Sequence, residues 1–278
     1  MSLFLGIDGG GTGCRAVLAD AQGRQLGLGA AGPANISIET ESACANIVAA
    51  ARAALDQAGR GNLDELTAVL GLAGANVTAS ARRLQAMLPF RHTRIVTDAV
   101  TAAAGALQGT DGIVAAMGTG SVFAVRIGDE TRQYGGRGFL LGDEGSGAVL
   151  GRALLTEALR AEDGFAPMTP LLRDVLRELG GIEGVISFGL HAKPSEFGIF
   201  APRIVTSGDP AAERIFAAAT DQIREMIEVL QQGRDLPVVF LGGLGAHYAR
   251  RLAGLWDIRP AQGSGLDGAL FLALREGV

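Results

Sequence analysis

Lysine is nearly missing from this chain of 278 residues: the single one is Lys193, and Pro194 follows it. A Walker-type phosphate loop needs a glycine-lysine pair followed by serine or threonine. The sequence therefore excludes that way of binding a nucleotide. Any Schiff-base chemistry would also have to depend on Lys193.

Cysteine, histidine and aromatic residues are also scarce, and basic residues are fewer than acidic ones. The two cysteines, Cys14 and Cys44, show no Cys-x-x-Cys spacing and the three histidines lie far apart, so no zinc ribbon or redox motif is indicated. The formal net charge of −5 and the aromatic fraction of 5% speak against a nucleic-acid partner. Without a secretion-leader pattern or a long apolar run, we expect a soluble, cytoplasmic protein that does not enter a membrane.

Glycine, by contrast, is abundant, at 42 of 278 residues, beside only 9 prolines and 48% hydrophobic residues. This glycine fraction is roughly double the average for proteins. The chain nevertheless has no low-complexity tract and enough apolar residues for a packed core. The glycines must therefore serve local purposes in a globular protein, and their clusters locate the candidate sites.

One pattern occurs twice along the chain. An apolar strand at residues 4–7 leads into a Gly-Thr-Gly turn at Thr12 and is followed by two more strands, and the same order recurs around Thr119. Helices and strands alternate after each copy, which predicts an α/β fold produced by internal duplication. We therefore expect two domains, 1–110 and 111–278.

The second half is richer in predicted helices than the first. Helical periodicity and start signals predict helices near residues 147–161, 169–179 and 211–232. A loop is predicted around 193–200, and a last helix at about 266–276. No segment has the composition of a disordered linker.

Gly-Thr-Gly turns between strands are natural anion cradles, because glycine leaves main-chain N–H groups uncovered. The hydroxyls of Thr12, Thr119 and Ser121 can add hydrogen bonds to phosphate oxygens. Asp8 ends the strand before the first turn, where it can hold magnesium through water, since magnesium combines one or two carboxylates with substrate phosphates. Tight turns without a ligand are the alternative for either cluster alone. The duplication and Asp8 favour a polyphosphate held by two hairpins.

Other polar positions have simple structural explanations when taken alone. Asp98 opens a helix after a strand and Asp143 shortly precedes a helix, where acidic residues are ordinary capping or first-turn residues. Asn35 is by default a loop residue. Two Gly-x-Gly-x-x-Gly runs, 27–32 and 263–268, do not fit a dinucleotide fold, because proline follows the first and only ten residues follow the second.

Five short motifs follow one another in an order and spacing that are specific in combination. They are Asp8-Gly9-Gly10-Gly11-Thr12, Thr97-Asp98-Ala99, Gly118-Thr119-Gly120-Ser121, Gly142-Asp143-Glu144-Gly145-Ser146 and Gly242-Gly243. Over essentially its whole length the sequence resembles the N-acetylglucosamine/glucosamine kinases of the BadF/BadG-type ATPase group, in the actin–hexokinase superfamily, and bacterial glucosamine kinases most of all. The resemblance implies two ribonuclease-H-like α/β domains with ATP and sugar in the cleft between them, and a last helix that packs back on the N-terminal domain.

The resemblance also implies roles for individual residues. Asp98 matches the catalytic base that takes the proton of the sugar 6-hydroxyl, Asp8 would support magnesium, and both hairpins would hold the phosphates of ATP. The implied residues are, for ATP, Gly10, Gly11, Thr12, Gly118, Thr119, Gly120, Gly198 and Gly243, and, for the sugar, Asn35, Asp98, Ser121, Gly136, Arg137 and Asp143.

The choice of sugar and two rival functions follow from comparison with the same relatives. Mammalian-type N-acetylglucosamine kinases carry tryptophan where this sequence has Arg137, and this departure speaks against recognition of an acetyl group without itself favouring glucosamine. The overall resemblance to bacterial glucosamine kinases favours glucosamine over N-acetylglucosamine. An ATPase that activates a dehydratase or reductase would use cysteines for an iron–sulfur cluster, and Cys14 and Cys44 are not spaced for one. A sugar-sensing repressor would carry a DNA-binding segment, and this sequence starts directly on its first strand. A homodimer is expected, as is common among such relatives.

Overall fold

The computed structural model describes residues 2–276. The chain divides into two compact units, of which the first comprises Met1–Val114, Ala124–Gln133 and Pro260–Val278, and the second comprises Ala115–Phe123 and Tyr134–Arg259.

The described residues form strands and helices in alternation. The strands are β1 (Leu3–Gly9), β2 (Cys14–Ala19), β3 (Gln25–Ala31), β4 (Leu66–Leu72), β5 (His92–Thr97), β6 (Gly112–Met117), β7 (Ser121–Ile127), β8 (Glu130–Gly135) and β9 (Val238–Leu241). The helices are α1 (Thr40–Ala58), α2 (Thr78–Met87), α3 (Asp98–Leu107), α4 (Gly147–Glu162), α5 (Pro170–Leu179), α6 (Gly181–His191), α7 (Pro194–Gly198), α8 (Ala201–Val205), α9 (Pro210–Gln231), α10 (Gly245–Arg251) and α11 (Gly265–Arg275). None of these helices in residues 2–276 is long and apolar enough to cross a bilayer.

The first sheet has the strand order β3-β2-β1-β4-β5. β2 is antiparallel to β1 and β3, whereas β4 is parallel to β1 and β5. The connections explain this mixture, because short turns join the antiparallel strands and parallel neighbours need a longer crossover. Helices α1 and α2 provide those crossovers.

Helices cover both faces of this first sheet. Leu5 and Ile7 of β1 belong to a core that includes Ile47 of α1. Phe4, which points to the opposite face, packs in a cluster with Ala273 of α11. Because successive strand residues face opposite sides, β1 is buried on both, and this accounts for its uninterrupted apolar run.

Two glycines let α1 pack closely against the edge strand β3. A Cβ at Gly27 or Gly29 of β3 would overlap the backbone oxygens of Ala54 and Ala50 in α1. Glycine inside a strand is typical of such close backbone approach. Packing against the helix therefore requires these glycines, which no turn or motif accounts for.

The second sheet repeats the order of the first. Its strands lie in the order β8-β7-β6-β9, which matches β3-β2-β1-β4 element by element. In each set a strand, a Gly-Thr-Gly turn and two further strands come first, and the fourth strand follows after helical segments. The duplication predicted from the sequence is confirmed.

The last helix, α11, lies in the first unit against β1 and α3. A Cβ at Gly6 of β1 would overlap the backbone N of Leu270, and Gly105 of α3 and Gly268 of α11 allow equally close contact between the two helices. The division of the chain at residue 110 stays a prediction.

The loop predicted around residues 193–200 is wrong, because the chain there forms the short helix α7, and α8 begins directly after this segment, at Ala201. Pro194 and Pro202 lie in the first turns of these short helices, where the missing proline N–H has no helical partner to lose. Helix α6, just before them, is also unpredicted, because its several glycines lower its helix propensity.

Candidate active site

The first hairpin, residues 9–13, joins β1 to β2 and leaves its backbone open. The Gly10 N–H donates to the Gly13 carbonyl at 2.9 Å, which closes the turn. A Cβ at Gly10 or Gly11 would meet no atom within 4 Å, and Thr12 is exposed at the tip. The hairpin therefore leaves open space beside its main chain, where an anion could meet the N–H groups. Phosphate binding there stays a prediction.

Asp8 lies at the end of β1, directly before this hairpin. Its Oδ2 forms an ion pair with Arg15 on β2 at 2.5 Å, across the paired strands. Its Oδ1 faces the start of α11, where a Cβ on Gly265 would lie 3.5 Å away. Because a helix N-terminus carries partial positive charge, two positive neighbours fix the direction of this carboxylate.

Asp98 is the first residue of α3, and Thr97 is the capping residue before it. The Asp98 Oδ1 accepts the N–H of Ala99 at 2.9 Å. Surrounding protein atoms raise the pKa of Asp98 by displacing water from its carboxyl, and the charge of Asp8 raises it further, while the N–H groups of Ala99 and Asp98 lower it. The residue still keeps exposed surface that a substrate can reach.

The sheet topology brings Asp8 and Asp98 to the same edge. β1 and β5 both run parallel to β4, which lies between them, and both carboxylates come at the carboxyl ends of their strands. Open α/β sheets bind ligands at this edge. The influence of the Asp8 charge on the pKa of Asp98 agrees with this proximity.

Asn35 is held at this edge by its own neighbours. The Ala34 N–H donates to the Gly10 carbonyl at 2.9 Å, and the Ile36 N–H donates to the Ala73 carbonyl at 3.1 Å. The Asn35 Oδ1 accepts from the N–H and the hydroxyl of Ser37 at 3.1 and 2.8 Å. Its amide NH₂ has no protein partner within residues 2–276, so it can donate to a substrate hydroxyl.

The second hairpin joins β6 to β7 and supports the start of α4. The Gly118 and Thr119 carbonyls accept the N–H groups of Gly147 and Ala148 at 2.8 and 3.1 Å. Ser146 caps the same helix by accepting the Val149 N–H at 3.2 Å. The first N–H groups of α4 are therefore satisfied by protein groups.

Two further predicted residues adjoin this second hairpin. A Cβ on Gly198 would lie 3.7 Å from Cγ2 of Thr119. The turn before α10 reaches the end of β6, since the Leu244 N–H donates to the Met117 carbonyl at 3.0 Å. In that turn Gly243 is exposed, and its Cβ position is open. The second unit thus gathers Gly118, Thr119, Gly120, Gly198 and Gly243 around one hairpin.

Ser121 and Asp143 are buried next to the second hairpin, and both form hydrogen bonds with the loop before α4. The Ser121 hydroxyl donates to the Glu144 carbonyl at 2.7 Å. Asp143 has a left-handed backbone (φ 59°) and accepts the Gly138 N–H at 3.3 Å. Burial raises the pKa of Asp143, while the N–H groups of Gly138 and Ser121 lower it. Both side chains therefore shape the 136–146 loop.

Arg137 lies in that loop, flanked by Gly136 and Gly138, and its side chain is exposed. Within residues 2–276 its guanidinium has neither an ion-pair nor a hydrogen-bond partner. Gly136 and Gly138 have φ of 63° and 84°, a region that side chains avoid. The loop therefore presents an unpaired cation on a backbone that requires glycine.

The predicted site residues fall into two groups, one in each unit. The first unit holds Asp8, Gly10, Gly11, Thr12, Asn35 and Asp98, and the second holds Gly118, Thr119, Gly120, Ser121, Gly136, Arg137, Asp143, Gly198 and Gly243.

Tyr248 of α10 supports the second group but carries no sequence motif. Its ring is fully buried and packs on Phe216 with 5.1 Å between centroids. Its hydroxyl donates to the Gly145 carbonyl at 2.6 Å, which ties α10 to the loop before α4. One of only two tyrosines in an apolar chain is a weak signal, and sequence reasoning had no means to find its partner.

Replacing Tyr248 by Phe should destabilise the protein by about 1–3 kcal/mol, because the buried Gly145 carbonyl would lose its donor. The free energy of unfolding from urea denaturation measures this. Tyr134 is the other tyrosine, and no hydrogen bond of its hydroxyl is present among residues 2–276. Tyr134→Phe is therefore the matched control and should leave the unfolding free energy within about 0.5 kcal/mol. An equal loss in both variants would contradict the role of the Tyr248 hydroxyl.

The two cysteines do not suit a surface cluster. Cys14 and Cys44 are both buried and unpaired. Burial raises the pKa of Cys14 to about 12, with a smaller contribution from Asp8, and burial also raises that of Cys44. Because thiolates ligate iron, two protonated thiols in apolar surroundings are a poor donor set for an iron–sulfur cluster.

Sequence comparisons connect the chain to kinases of amino sugars. It is 32% identical to a glucosamine kinase of Vibrio cholerae, with 98% of this chain and 96% of that protein covered. It is 27% identical to an N-acetylmuramic acid/N-acetylglucosamine kinase of Clostridium acetobutylicum, over 88% and 86% of the two chains.

Structural comparison agrees. A candidate N-acetylglucosamine kinase from Chromobacterium violaceum superposes with a TM-score of 0.87 at 30% identity, covering 99% of both chains. A hexokinase of the ROK group from Thermus thermophilus, at 19% identity and a TM-score of 0.57 over 99% of this chain and 100% of that one, shares the fold. The model of the BadF/BadG/BcrA/BcrD ATPase family matches residues 5–253. With two glycine hairpins on duplicated sheets and these relatives, the chain belongs to the BadF/BadG/BcrA/BcrD ATPase family.

Proposed function

We propose that this protein transfers the γ-phosphoryl group of ATP to the 6-hydroxyl of an amino sugar, with glucosamine favoured over N-acetylglucosamine. The observation that carries the proposal is the edge of the first sheet. There, a carboxyl with a raised pKa, Asp98, lies near Asp8 in the same unit as a glycine hairpin that is open to an anion. The kinase relatives of similar length support the same reaction.

Positioning and charge neutralisation, more than covalent chemistry, accelerate phosphoryl transfer. In the hairpins at Gly10–Thr12 and Gly118–Gly120, the N–H groups of the second and third residues donate to phosphate oxygens, because the first N–H of each closes its own turn. The hydroxyls of Thr12 and Thr119 add further donors. Gly198 and Gly243 leave space beside the second hairpin for the adenosine. Magnesium bound with ATP would neutralise phosphate charge, and Asp8 would hold it through water.

Asp98 would receive the proton of the sugar hydroxyl. A carboxylate is a weak base toward a ground-state alcohol, so the transfer would accompany formation of the oxygen–phosphorus bond. The raised pKa of Asp98 makes it a better acceptor than an ordinary aspartate. Before that step the carboxylate orients the hydroxyl toward the phosphorus.

The sugar side of the proposal combines free and structural groups. Among the residues that the structure describes, neither the amide NH₂ of Asn35 nor the guanidinium of Arg137 has a protein partner. Ser121 and Asp143 are buried and form hydrogen bonds with the 136–146 loop. They would therefore position the loop backbone at Gly136 against the sugar as much as contact the sugar directly. Magnesium dependence, a homodimer and a cytoplasmic location stay predictions.

A coupled assay of ADP release with magnesium and ATP tests the proposed function. Glucosamine, N-acetylglucosamine, glucose and a sugar-free sample are compared at equal concentration. We expect release only with an amino sugar and the highest kcat/KM with glucosamine. Release that does not depend on any sugar would refute a sugar kinase and favour an activator ATPase.

Replacing Gly11 by Val should raise the Kd for ATP by at least about tenfold. The side chain would enter the space beside the first hairpin that no protein atom fills, so the fold should be unchanged while phosphate is displaced. Titration calorimetry with a non-hydrolysable ATP analogue measures the Kd.

Gly208→Val is the matched control for that measurement. Gly208 is also a loop glycine with an open Cβ position, but it lies between α8 and α9, outside either hairpin. Its variant should bind the analogue like the wild type. Unchanged affinity in Gly11→Val would remove the first hairpin from the nucleotide site.

A further inference from the structure

The hydroxyl of Thr97 is a buried polar group without a partner. Thr97 precedes Asp98 at the start of α3, and its Oγ1 is shielded from solvent but forms no hydrogen bond with any group in residues 2–276. A buried hydroxyl that lacks a partner costs free energy. The position is unusual as well, because threonine before a helix normally accepts an N–H of the first turn.

Asp98 occupies one of the two first-turn N–H groups that a capping threonine can accept. The residue two positions into the helix from the cap is Ala99, and its N–H already donates to Asp98 Oδ1 at 2.9 Å. The N–H of Asp98 also acts on this carboxyl. The proposed base is thus folded back onto its own helix, and one of its oxygens is engaged there.

We propose that Thr97 is a positioning residue: its hydroxyl accepts the first-turn N–H of α3 in place of Asp98 when the Asp98 carboxylate turns to the substrate. The inference rests on the proposed function, in which Asp98 orients a sugar hydroxyl. When the carboxylate rotates toward that hydroxyl, it releases the Ala99 N–H. The Thr97 Oγ1 then accepts the Ala99 N–H by side-chain rotation, so this N–H keeps a protein partner.

This exchange of hydrogen bonds lowers the free energy needed to turn the Asp98 carboxylate toward the sugar. Without the threonine hydroxyl, each approach of Asp98 to the sugar would leave the Ala99 N–H without a protein partner. With it, the number of satisfied N–H groups stays constant, and the orphaned hydroxyl of the sugar-free protein gains a bond. Thr97 therefore contributes to the sugar-bound state and not to the sugar-free state.

Thr97→Val tests the exchange because it keeps the shape of the side chain and removes the hydroxyl. We expect kcat/KM for the amino sugar to fall about fivefold, the value of an ordinary threonine cap expressed as an equilibrium constant. KM for ATP should not change. The Tm without sugar should be equal to that of the wild type or higher, since the lost hydroxyl had no partner. Thr97→Ser, which restores the hydroxyl, should return kcat/KM to within about twofold of the wild type.

Thr169→Val is the matched control. Thr169 is also a threonine at the cap before a helix, α5, but its hydroxyl accepts the Leu172 N–H at 3.4 Å. Its loss should lower Tm and leave kcat/KM unchanged. The two threonines should therefore respond in opposite ways, one in catalysis and the other in stability.

A second measurement does not depend on turnover. Saturating amino sugar should raise the Tm of the wild type by ligand binding, and it should raise the Tm of Thr97→Val by less. Equal kcat/KM and equal sugar-induced shifts in the two proteins would overturn the exchange. A fall in the sugar-free Tm of Thr97→Val like that of Thr169→Val would also overturn it. A wild type that shows neither a sugar-induced shift nor sugar-dependent ADP release would refute the proposed function instead.

Discussion

Asp98→Asn is expected to lower kcat for phosphorylation of the amino sugar by about two to four orders of magnitude, the usual contribution of a general base. The amide keeps the size of the side chain and can still accept the Ala99 N–H, so α3 should form as before. It cannot take the proton of the hydroxyl. Binding of the ATP analogue should be unchanged, because both hairpins are intact.

Stability should not fall in this variant. The folded-state pKa of Asp98 is raised by burial and by Asp8, so its stabilising contribution is complete below the unfolded pKa and is lost as pH rises through the folded value. At neutral pH the ionised carboxyl therefore costs stability, and the neutral amide removes that cost. We expect the Tm of Asp98→Asn at pH 7 to equal or exceed that of the wild type.

The measurements are steady-state kinetics with glucosamine, calorimetry with the analogue and thermal unfolding at pH 7. Asp257→Asn serves as a control, since Asp257 is a carboxylate paired with Arg259 at 2.7 Å and lies outside both groups of site residues. It should keep wild-type kcat. Phosphorylation by Asp98→Asn at near the wild-type rate would show that Asp98 is not the base.

Gly268→Ala should destabilise the protein by about 3 kcal/mol, at the upper end for overpacking a well-packed contact. The added Cβ would overlap the backbone oxygen of Thr101 and crowd the backbone of Gly105, so α11 and α3 would have to separate. Backbone cannot move aside as a flexible side chain can. Activity should fall as well, because α11 starts at Gly265, beside Asp8.

Urea denaturation of the wild type and of Gly268→Ala measures this effect. Gly189→Ala is the matched control, because Gly189 also lies within a helix and a Cβ there would meet no atom within 4 Å. That substitution should leave stability equal or raise it by up to about 1 kcal/mol, since alanine favours helices. A Gly268→Ala protein as stable as the wild type would mean that the two helices do not touch.

Much of the fold could be predicted from the sequence because its signals are local. The helices predicted at residues 147–161 and 211–232 are α4 (Gly147–Glu162) and α9 (Pro210–Gln231), with bounds that agree to within one residue. The duplicated order was readable because each copy repeats strand, Gly-Thr-Gly turn and strand. The loop predicted at 193–200 is wrong because short proline-started helices lack the periodicity of longer ones.

The candidate site was predictable to a similar degree and for a similar reason. Glycines in turns and acidic residues at strand ends mark open backbone and charge, whichever residues surround them. Their surroundings were not predictable. The ion pair of Asp8 with Arg15 depends on strand pairing, and the bond from Tyr248 to Gly145 joins residues far apart in the chain.

The glycines show which features of this protein follow from the sequence and which depend on the tertiary structure. By itself the sequence determined two glycine hairpins on duplicated strands, a carboxylate at a strand end and the resemblance to a kinase family. Only the tertiary structure decided that Gly27 and Gly29 accept α1, that Gly105 and Gly268 accept each other's helix, and that Thr97 is left without a bond. The physical reason is range. Turn conformations and periodicity are encoded within a few residues, whereas the distance between two backbones depends on every contact between segments remote in the chain.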